Sequence, residues 1–447
     1  MTDPVNDLCQ LTAVQTASAI REGRASCREV AEAHLAQIYG CEADVLAWAF
    51  LDRDHVLAQA DAAQDHINMG RALGPLHGVP IGVKDIIDTA DMPTECGSPV
   101  FAGNRPDQDA TLVAQLRQAG AIIMGKTVTT ELALYTPGKT RNPNNSEHTP
   151  GGSSSGSAAA VAAHMVPGAI GTQTNGSVIR PAAFCGVVGY KPSRGLISRH
   201  GVLCQAPSLD TVGVMARSVE DVALIGEQIM AYDANDKSLS PRARPDLLAH
   251  AQSEPPYQPR LALARTPVWD QADRETQEAF AELVEALGEH VIEMALPDSF
   301  DRALDLHRIV MEAEIGHNFG AIHKRARAQL SPRLCDIIEH GQTIPAAEYL
   351  AALDSIPPLV ESLESAFDWV DAFITPAAPG AAPHGLASTG SPVFCTLWTL
   401  TGMPAITLPL LQSSAGLPIG VQLVGQFGRD ARLLRTARWL VDFLAED

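Results

Sequence analysis

Two neighbouring runs, Gly151-Gly152-Ser153-Ser154-Ser155-Gly156-Ser157 and Gly171-Thr172-Gln173-Thr174-Asn175-Gly176-Ser177-Val178-Ile179-Arg180, decide how this chain is read. Between them Ala158-Ala159-Ala160-Val161-Ala162-Ala163 is a run of small helix formers able to pack closely on a sheet. Gly168 to Gly171 reads as a short strand that delivers the chain to Ser177, whereas Asn142-Pro143-Asn144-Asn145, ahead of the first run, is turn-rich. Upstream, Gly78-Val79-Pro80-Ile81-Gly82-Val83-Lys84-Asp85 lies in a stretch, Leu76 to Asp88, that reads as a buried strand and turn with Lys84 among apolar neighbours.

A serine hydroxyl is a poor nucleophile at neutral pH and needs a base within reach. A lysine serves only when neutral, and deprotonating it at pH 7 costs about 4 to 5 kcal/mol from an ordinary pKa near 10.4. Burial lowers that pKa by disfavouring the ammonium, and the apolar setting of Lys84 suits this. For an isolated lysine a surface pairing with the adjacent Asp85 is the commoner outcome. The serine runs weigh against it here.

Outward from these runs the chain mixes helix and strand. Ser26-Cys27-Arg28-Glu29 is a capping box followed by Val30, Ala33, His34 and Ile38 at helical spacing, and a second helix is expected from Asp54 toward Met69. Asp109 is placed to cap a helix through Leu112, Val113 and Leu116 that ends at Gly120, and Ala121 to Met124 then reads as a core strand. Residues 232–259 are polar and Pro-rich and read as a surface excursion. Arg260 to Ala264 predicts a strand, Thr276 to Leu287 a helix with Phe280, Leu283, Val284 and Leu287 inward, and 300–367 a mainly helical segment. The last strands are expected at Ala372 to Thr375 and Gly420 to Gly425.

Composition excludes several classes. The 447 residues are 46% hydrophobic and 19% charged, which fits a folded chain with a large core. A net charge of −20, with no dense Lys/Arg cluster, argues against direct nucleic-acid binding. The eight cysteines are scattered singly without a C-x-x-C pair, so reduced thiols are expected instead of a disulfide framework or a zinc site. Met1 to Asp7 shows no targeting pattern, and no later stretch has the length of a membrane helix. A cytoplasmic protein without membrane association is expected.

The runs at 78–89 and 150–191 resemble the amidase signature family. The resemblance takes in Gly151-Gly152-Ser153-Ser154, the Ala-rich helix, Gly171-Thr172 through Arg180-Pro181, and Phe184-Cys185-Gly186-Val187-Val188-Gly189-Tyr190-Lys191-Pro192. Gly125-Lys126-Thr127, Glu131-Leu132-Ala133 and Gly402-Met403-Pro404-Ala405-Ile406 are also similar to the family, and residues 230–370 match least. The resemblance implies one α/β domain over 1–447, a large mixed sheet flanked by helices on both faces, with the variable 230–370 region covering the cleft. It implies a Ser-cisSer-Lys triad: Ser177 as nucleophile, Ser153 as a bridge on a cis peptide, and Lys84 as base. A hydroxyl both donates and accepts, so such a bridge passes a proton between Ser177 and Lys84. The backbone N–H groups of Thr174, Asn175, Gly176 and Ser177 are the expected oxyanion donors. No metal or organic cofactor is implied.

The implied activity is hydrolysis of a small-molecule carboxylic amide through an acyl-enzyme, with esters and carbamates also open as substrates. The alternatives are the glutaminase subunit of a tRNA-dependent amidotransferase and a non-catalytic binding protein on the same fold. A homodimer is an open assembly. Two positions depart from many relatives: Gln173 stands for an Asp that would pair with Arg180, and Asn175 for a Gly, where tolerance of left-handed angles would help Asn. Gly152-Ser153-Ser154-Ser155-Gly156 also matches G-x-S-x-G, but the elbow that motif describes needs a strand immediately before it. Ser154 is therefore set aside. No histidine is placed as a triad partner, and the run lacks the G-K-[ST] ending of a phosphate loop. Lys126, Glu131 and Lys191 read as structural charges and Cys185 as core; Tyr135, Phe184, Trp398 and Met403 read as core, with one or two open to lining an acyl pocket.

Overall fold

Buried strands that are apolar on both faces need cover on both faces, and the chain supplies it around one sheet. The structure, a computed structural model, describes residues 8–445; the reading of Met1 to Asp7 lies outside the described residues. The strands are β1 (Trp48–Leu51), β2 (Pro80–Lys84), β3 (Ile122–Thr127), β4 (Gly168–Gln173), β5 (Val188–Lys191), β6 (Thr211–Ala216), β7 (Leu261–Arg265), β8 (Val291–Ala295), β9 (Ala372–Pro376), β10 (Ala405–Gln412) and β11 (Pro418–Val424). They form an 11-stranded sheet in the order β1-β3-β2-β4-β6-β5-β10-β11-β9-β7-β8. β2 runs parallel to β3 and β4, β7 runs parallel to β8 and β9, and the remaining pairs are antiparallel, so the sheet is mixed.

Side-chain alternation divides the core into two layers. Along β3, Ile123 joins one buried cluster while Ile122 and Met124 join the other; Ile170 and Ala169 of β4 divide in the same way. Helices Cys27–Val45, Arg53–Asn68 and Ser155–Ala162 contribute to one layer, and Thr111–Gln118, Val219–Gln228 and Asp430–Ala445 to the other. Among the described residues no helix is long and apolar enough to cross a membrane. All eight cysteines are free, six of them buried.

The capping box at Ser26 is present, with Ser26 Oγ accepting from Glu29 N and the Glu29 carboxylate accepting from Ser26 N. The expected Asp109 cap is not. Helix Thr111–Gln118 begins after Ala110 without a side-chain cap, because the Asp109 carboxylate accepts from Ala90 N at 2.9 Å and from Arg117 at 3.0 Å. Charge pairing to a long-range partner outcompetes the local cap. Val284 is only half-buried, while Phe280, Leu283 and Leu287 face inward as expected. Strands β1, β5, β6, β8 and β10 were not expected from the sequence. β1 and β5 span only four residues each, and β8 is a half-buried edge strand with little apolar contrast.

The serine run staples helix Ser155–Ala162 to the sheet. Ser154 Oγ accepts from Thr172 N and donates to Thr172 O, both at 3.2 Å. Ser157 Oγ donates to Ile170 O at 2.9 Å, and Ser155 Oγ donates to Val128 O. Gly156 permits this approach, since a Cβ there would lie 2.3 Å from both Val128 N and Ala47 O. Gly156→Ala is therefore expected to destabilise the fold by about 3 kcal/mol or more, the upper range of overpacking. A denaturant midpoint unchanged from the parent would contradict this account.

Candidate active site

Parallel pairing of β2 with β4 brings the carboxyl ends of both strands to one side of the sheet, where loops in open α/β folds assemble sites. Lys84 closes β2, and Thr172 stands one residue before the end of β4. The Lys84 side chain is fully buried; Nζ donates to Ser153 Oγ at 2.7 Å and to Thr172 Oγ1 at 2.8 Å. Ser153 lies in the loop that leads into the stapled helix, and the Gly152–Ser153 peptide bond is cis.

Asp85 does not pair with Lys84. Its carboxylate accepts from Glu95 N and lies 3.6 Å from Lys126 Nζ. Lys126 also donates to Ile87 O at 2.7 Å and to Thr94 Oγ1 at 2.6 Å, so it is a structural charge. Among the described residues Lys84 has no carboxylate within ion-pair distance, and burial pushes its pKa well below the ordinary lysine value, opposed only in part by the field of Asp210. Asp210 is itself raised by burial to about 6, although it accepts from Thr174 Oγ1, Gln205 N and Ala206 N. The region around Lys84 thus favours a neutral amine.

Ser177 sits in the loop between β4 and helix Ile179–Cys185, half-buried, and its hydroxyl makes no hydrogen bond among the described residues. The structure thus joins Lys84 to Ser153 directly, and no direct hydrogen bond joins Ser153 to Ser177. The backbone N–H groups of Thr174, Asn175, Gly176 and Ser177 likewise donate to no acceptor in the protein among the described residues, whereas the next two, of Val178 and Ile179, are taken by Gln173 Oε1 at 2.9 and 3.0 Å. Gly176 lets the loop lie against Pro392 and Cys395, where a Cβ would come within 2.8 Å of the proline ring.

The two departures resolve cleanly. Gln173 makes no bond to Arg180; its Nε2 donates to Thr399 Oγ1 at 2.9 Å. Arg180 donates to the carbonyls of Gly390 and Gly152 instead. Asn175 is not in the left-handed region, so that tolerance is not used; its side chain accepts from Thr396 Oγ1 at 2.7 Å. Ser154, the rival nucleophile, is fully buried with its hydroxyl spent on β4.

Three site residues escaped the sequence reading. Thr172 was legible only as a hydroxyl in a short strand. His307 Nε2 lies 2.9 Å from Thr174 O, and Thr399 Oγ1 donates to Asn175 O, from 133 and 224 residues away in sequence, where no local pattern points to the loop. Burial pushes His307 down to about 4, so it is the neutral tautomer that donates through Nε2. A cavity of about 260 Å³ adjoins the loop, lined by Thr172, Thr174, Val202, Leu203, Gln205 and Asp210. Phe184, Trp398 and Met403 are core, while Tyr135 is half-buried beneath the Arg333 guanidinium at 4.5 Å.

The family model described as Amidase matches residues 29–434. The chain belongs to the amidase family. It is 32% identical to one component of a glutamyl-tRNA(Gln) amidotransferase from Lachnospira eligens, over 96% of this chain and 97% of that one. Among solved structures it resembles the native peptide amidase of Stenotrophomonas maltophilia, at a TM-score of 0.86, 28% identity and coverage of 98% and 97%. A second, described as a vestigial protein complex that reveals the evolutionary origins of an s-triazine catabolic enzyme, gives a TM-score of 0.90 at 28% identity, covering 97% of this chain and 98% of that one. As in these amidase-family relatives, a large mixed sheet with helices forms the frame of this chain.

Thr172→Val removes one of two hydrogen bonds to Lys84, a loss of about 0.5 to 1.5 kcal/mol, so turnover should fall roughly two- to tenfold with KM little changed. Ser154→Ala should leave acylation intact and lower stability by about 1 to 3 kcal/mol, because two buried backbone groups of Thr172 lose their side-chain partner. Loss of acylation in a folded Ser154→Ala protein would restore the elbow reading.

Proposed function

We propose that this chain hydrolyses a carboxamide, with Ser177 attacking the carbonyl, Ser153 relaying the proton, and Lys84 acting as the base. The observation that carries this reading is the buried Lys84 amine, hydrogen-bonded to Ser153 and unpaired with any carboxylate among the described residues. Attack would place negative charge on the carbonyl oxygen, and the four undonated N–H groups of Thr174 to Ser177 are the donors assigned to it. The proton taken from Ser177 would return through Ser153 to the leaving amine, and water would then release the acyl group from Ser177. No cofactor enters this scheme.

The relatives' names favour glutamine as the amide, with this chain acting as the ammonia-releasing component of an amidotransferase beside partner subunits. The cavity at Thr172 and Thr174 supports a short polar group over a long hydrocarbon, since it is below the volume usual for drug-sized ligands and is edged by Gln205 and Asp210. A free-standing amidase is the second reading, favoured by the likeness to a peptide amidase. The helical cover at 300–367 and a cytoplasmic location belong to both readings. A non-catalytic binding role has no observation in its favour.

A fluorophosphonate should form an adduct on Ser177 of the folded protein and none on Ser177→Ala; an unlabelled parent protein would overturn the mechanism. Ammonia release from glutamine, compared with release from simple aliphatic and aryl amides, separates the two readings. Lys84→Met should lower turnover by at least about 10²-fold, in the range expected for lost general-base catalysis, while the fold is kept. The pH dependence has a fixed sign. Lys84 accepts a proton only above its lowered folded pKa, so turnover rises with pH through that value. Stability also rises with pH between that value and the ordinary one, because there the unfolded chain binds the extra proton. A Lys84→Met protein whose stability keeps the parent's pH slope across that window would contradict the assignment.

A further inference from the structure

A trans peptide unit is rigid, and its C=O and N–H point in opposite directions. Whatever holds the carbonyl of one residue therefore aims the N–H of the next. In the nucleophile loop each of three successive carbonyls is held by a different element. Thr174 O faces His307 Nε2 at 2.9 Å, from helix Ala303–Asn318. Asn175 O accepts from Thr399 Oγ1 at 2.5 Å, from helix Val393–Leu400. Gly176 O accepts from Arg180 N at 3.0 Å, within the turn that starts the next helix. The opposed N–H groups, those of Asn175, Gly176 and Ser177, are the ones left without an acceptor in the protein among the described residues.

The direction of the Thr399 hydrogen bond is set by Gln173. Gln173 Oε1 receives two backbone N–H groups, from Val178 and Ile179, which fixes the amide orientation and turns Nε2 toward Thr399 Oγ1 at 2.9 Å. A hydroxyl has one proton. Because Thr399 accepts from Gln173, that proton is free for Asn175 O. An acceptor-only carboxylate in the same place would draw the Thr399 proton to itself and release the Asn175 carbonyl. Gln173, at a position where many relatives carry Asp, is therefore matched to Thr399 in this chain.

We infer that Thr399 and His307 are positioning residues that aim the Asn175 and Gly176 N–H groups at the developing oxyanion, and that Gln173 acts on catalysis through the proton of Thr399. This rests on the assignment of Ser177 as nucleophile with the 174–177 loop as its oxyanion site. It concerns rate and not binding, since neither side chain is required to touch a substrate.

The test is the kinetics of Ser177 labelling by a fluorophosphonate, whose phosphoryl oxygen takes the oxyanion position, with folding of each variant checked by thermal melting. Thr399→Val should lower the maximal labelling rate roughly 10- to 100-fold, short of the loss of a whole oxyanion donor, with the half-saturating probe concentration within about twofold of the parent. Thr399→Ser should restore the rate. His307→Ala should behave like Thr399→Val, and His307→Gln, whose amide N–H reaches the place of Nε2, should recover most of the rate. Gln173→Glu, whose carboxylate is kept ionised by the Val178 and Ile179 N–H groups, should slow labelling in the parent but by under about twofold in the Thr399→Val background. Equal slowing by Gln173→Glu in both backgrounds overturns the relay through Thr399. Parent-like rates in folded Thr399→Val and His307→Ala overturn the positioning roles while leaving the nucleophile assignment intact. A parent protein that takes no label at Ser177 overturns both.

Discussion

An amine sealed inside a sheet with only hydroxyl partners is the constraint around which this site is built. Charged, Lys84 would need a counter-ion that the described structure denies it; neutral, it is satisfied by Ser153 and Thr172. The neighbouring chemistry is arranged to preserve that state. Lys126 takes up Asp85, the carboxylate adjacent in sequence, and binds three further acceptors of the 87–94 segment. Asp210, the carboxyl whose field reaches Lys84, is pushed up by burial, which weakens its pull toward the ammonium. Apolar replacements of buried ionic groups are often neutral or stabilising, so the presence of this lysine in the core is explained by chemistry more readily than by stability.

The serine-rich run divides two tasks between identical side chains. Ser153 meets Lys84, whereas Ser154, Ser155 and Ser157 spend their hydroxyls on strand and loop backbone and hold the helix down on β3 and β4. The small volume of the run and the missing Cβ at Gly156 make this close seating possible. A rigid foundation under Ser153 keeps the bridge within hydrogen-bond reach of the base, which is a geometric requirement for proton transfer.

Much of this was legible because it is local. Glycines, small residues and hydroxyls at fixed spacing picked out Lys84, Ser153 and Ser177, and apolar runs located β2, β3, β4, β7, β9 and β11. What was not legible depends on long-range partners. Asp109 reads as a helix cap until Arg117 and Ala90 claim its carboxylate. Gln173 reads as a substitute partner for Arg180, yet the loop's own N–H groups take its oxygen and Thr399 takes its nitrogen. His307 and Thr399 carry no local signature, since their meaning lies in a carbonyl more than a hundred residues away. Strands β1, β5 and β8 lack the length or the apolar contrast that would mark them.

The contact of His307 with the Thr174 carbonyl has a consequence for how such a protein diverges. Helix Ala303–Asn318 belongs to the part of the chain that least resembles its relatives, the part in which change is ordinarily cheapest. Because one of its side chains reaches the loop that bears Ser177, a drift of that helix by an ångström is transmitted to the reacting centre. Remodelling the helical segment, by mutation over generations or by grafting in the laboratory, is therefore not free of the chemistry beneath it. Lineages that alter it must keep this one helix in place or evolve a new anchor for the loop.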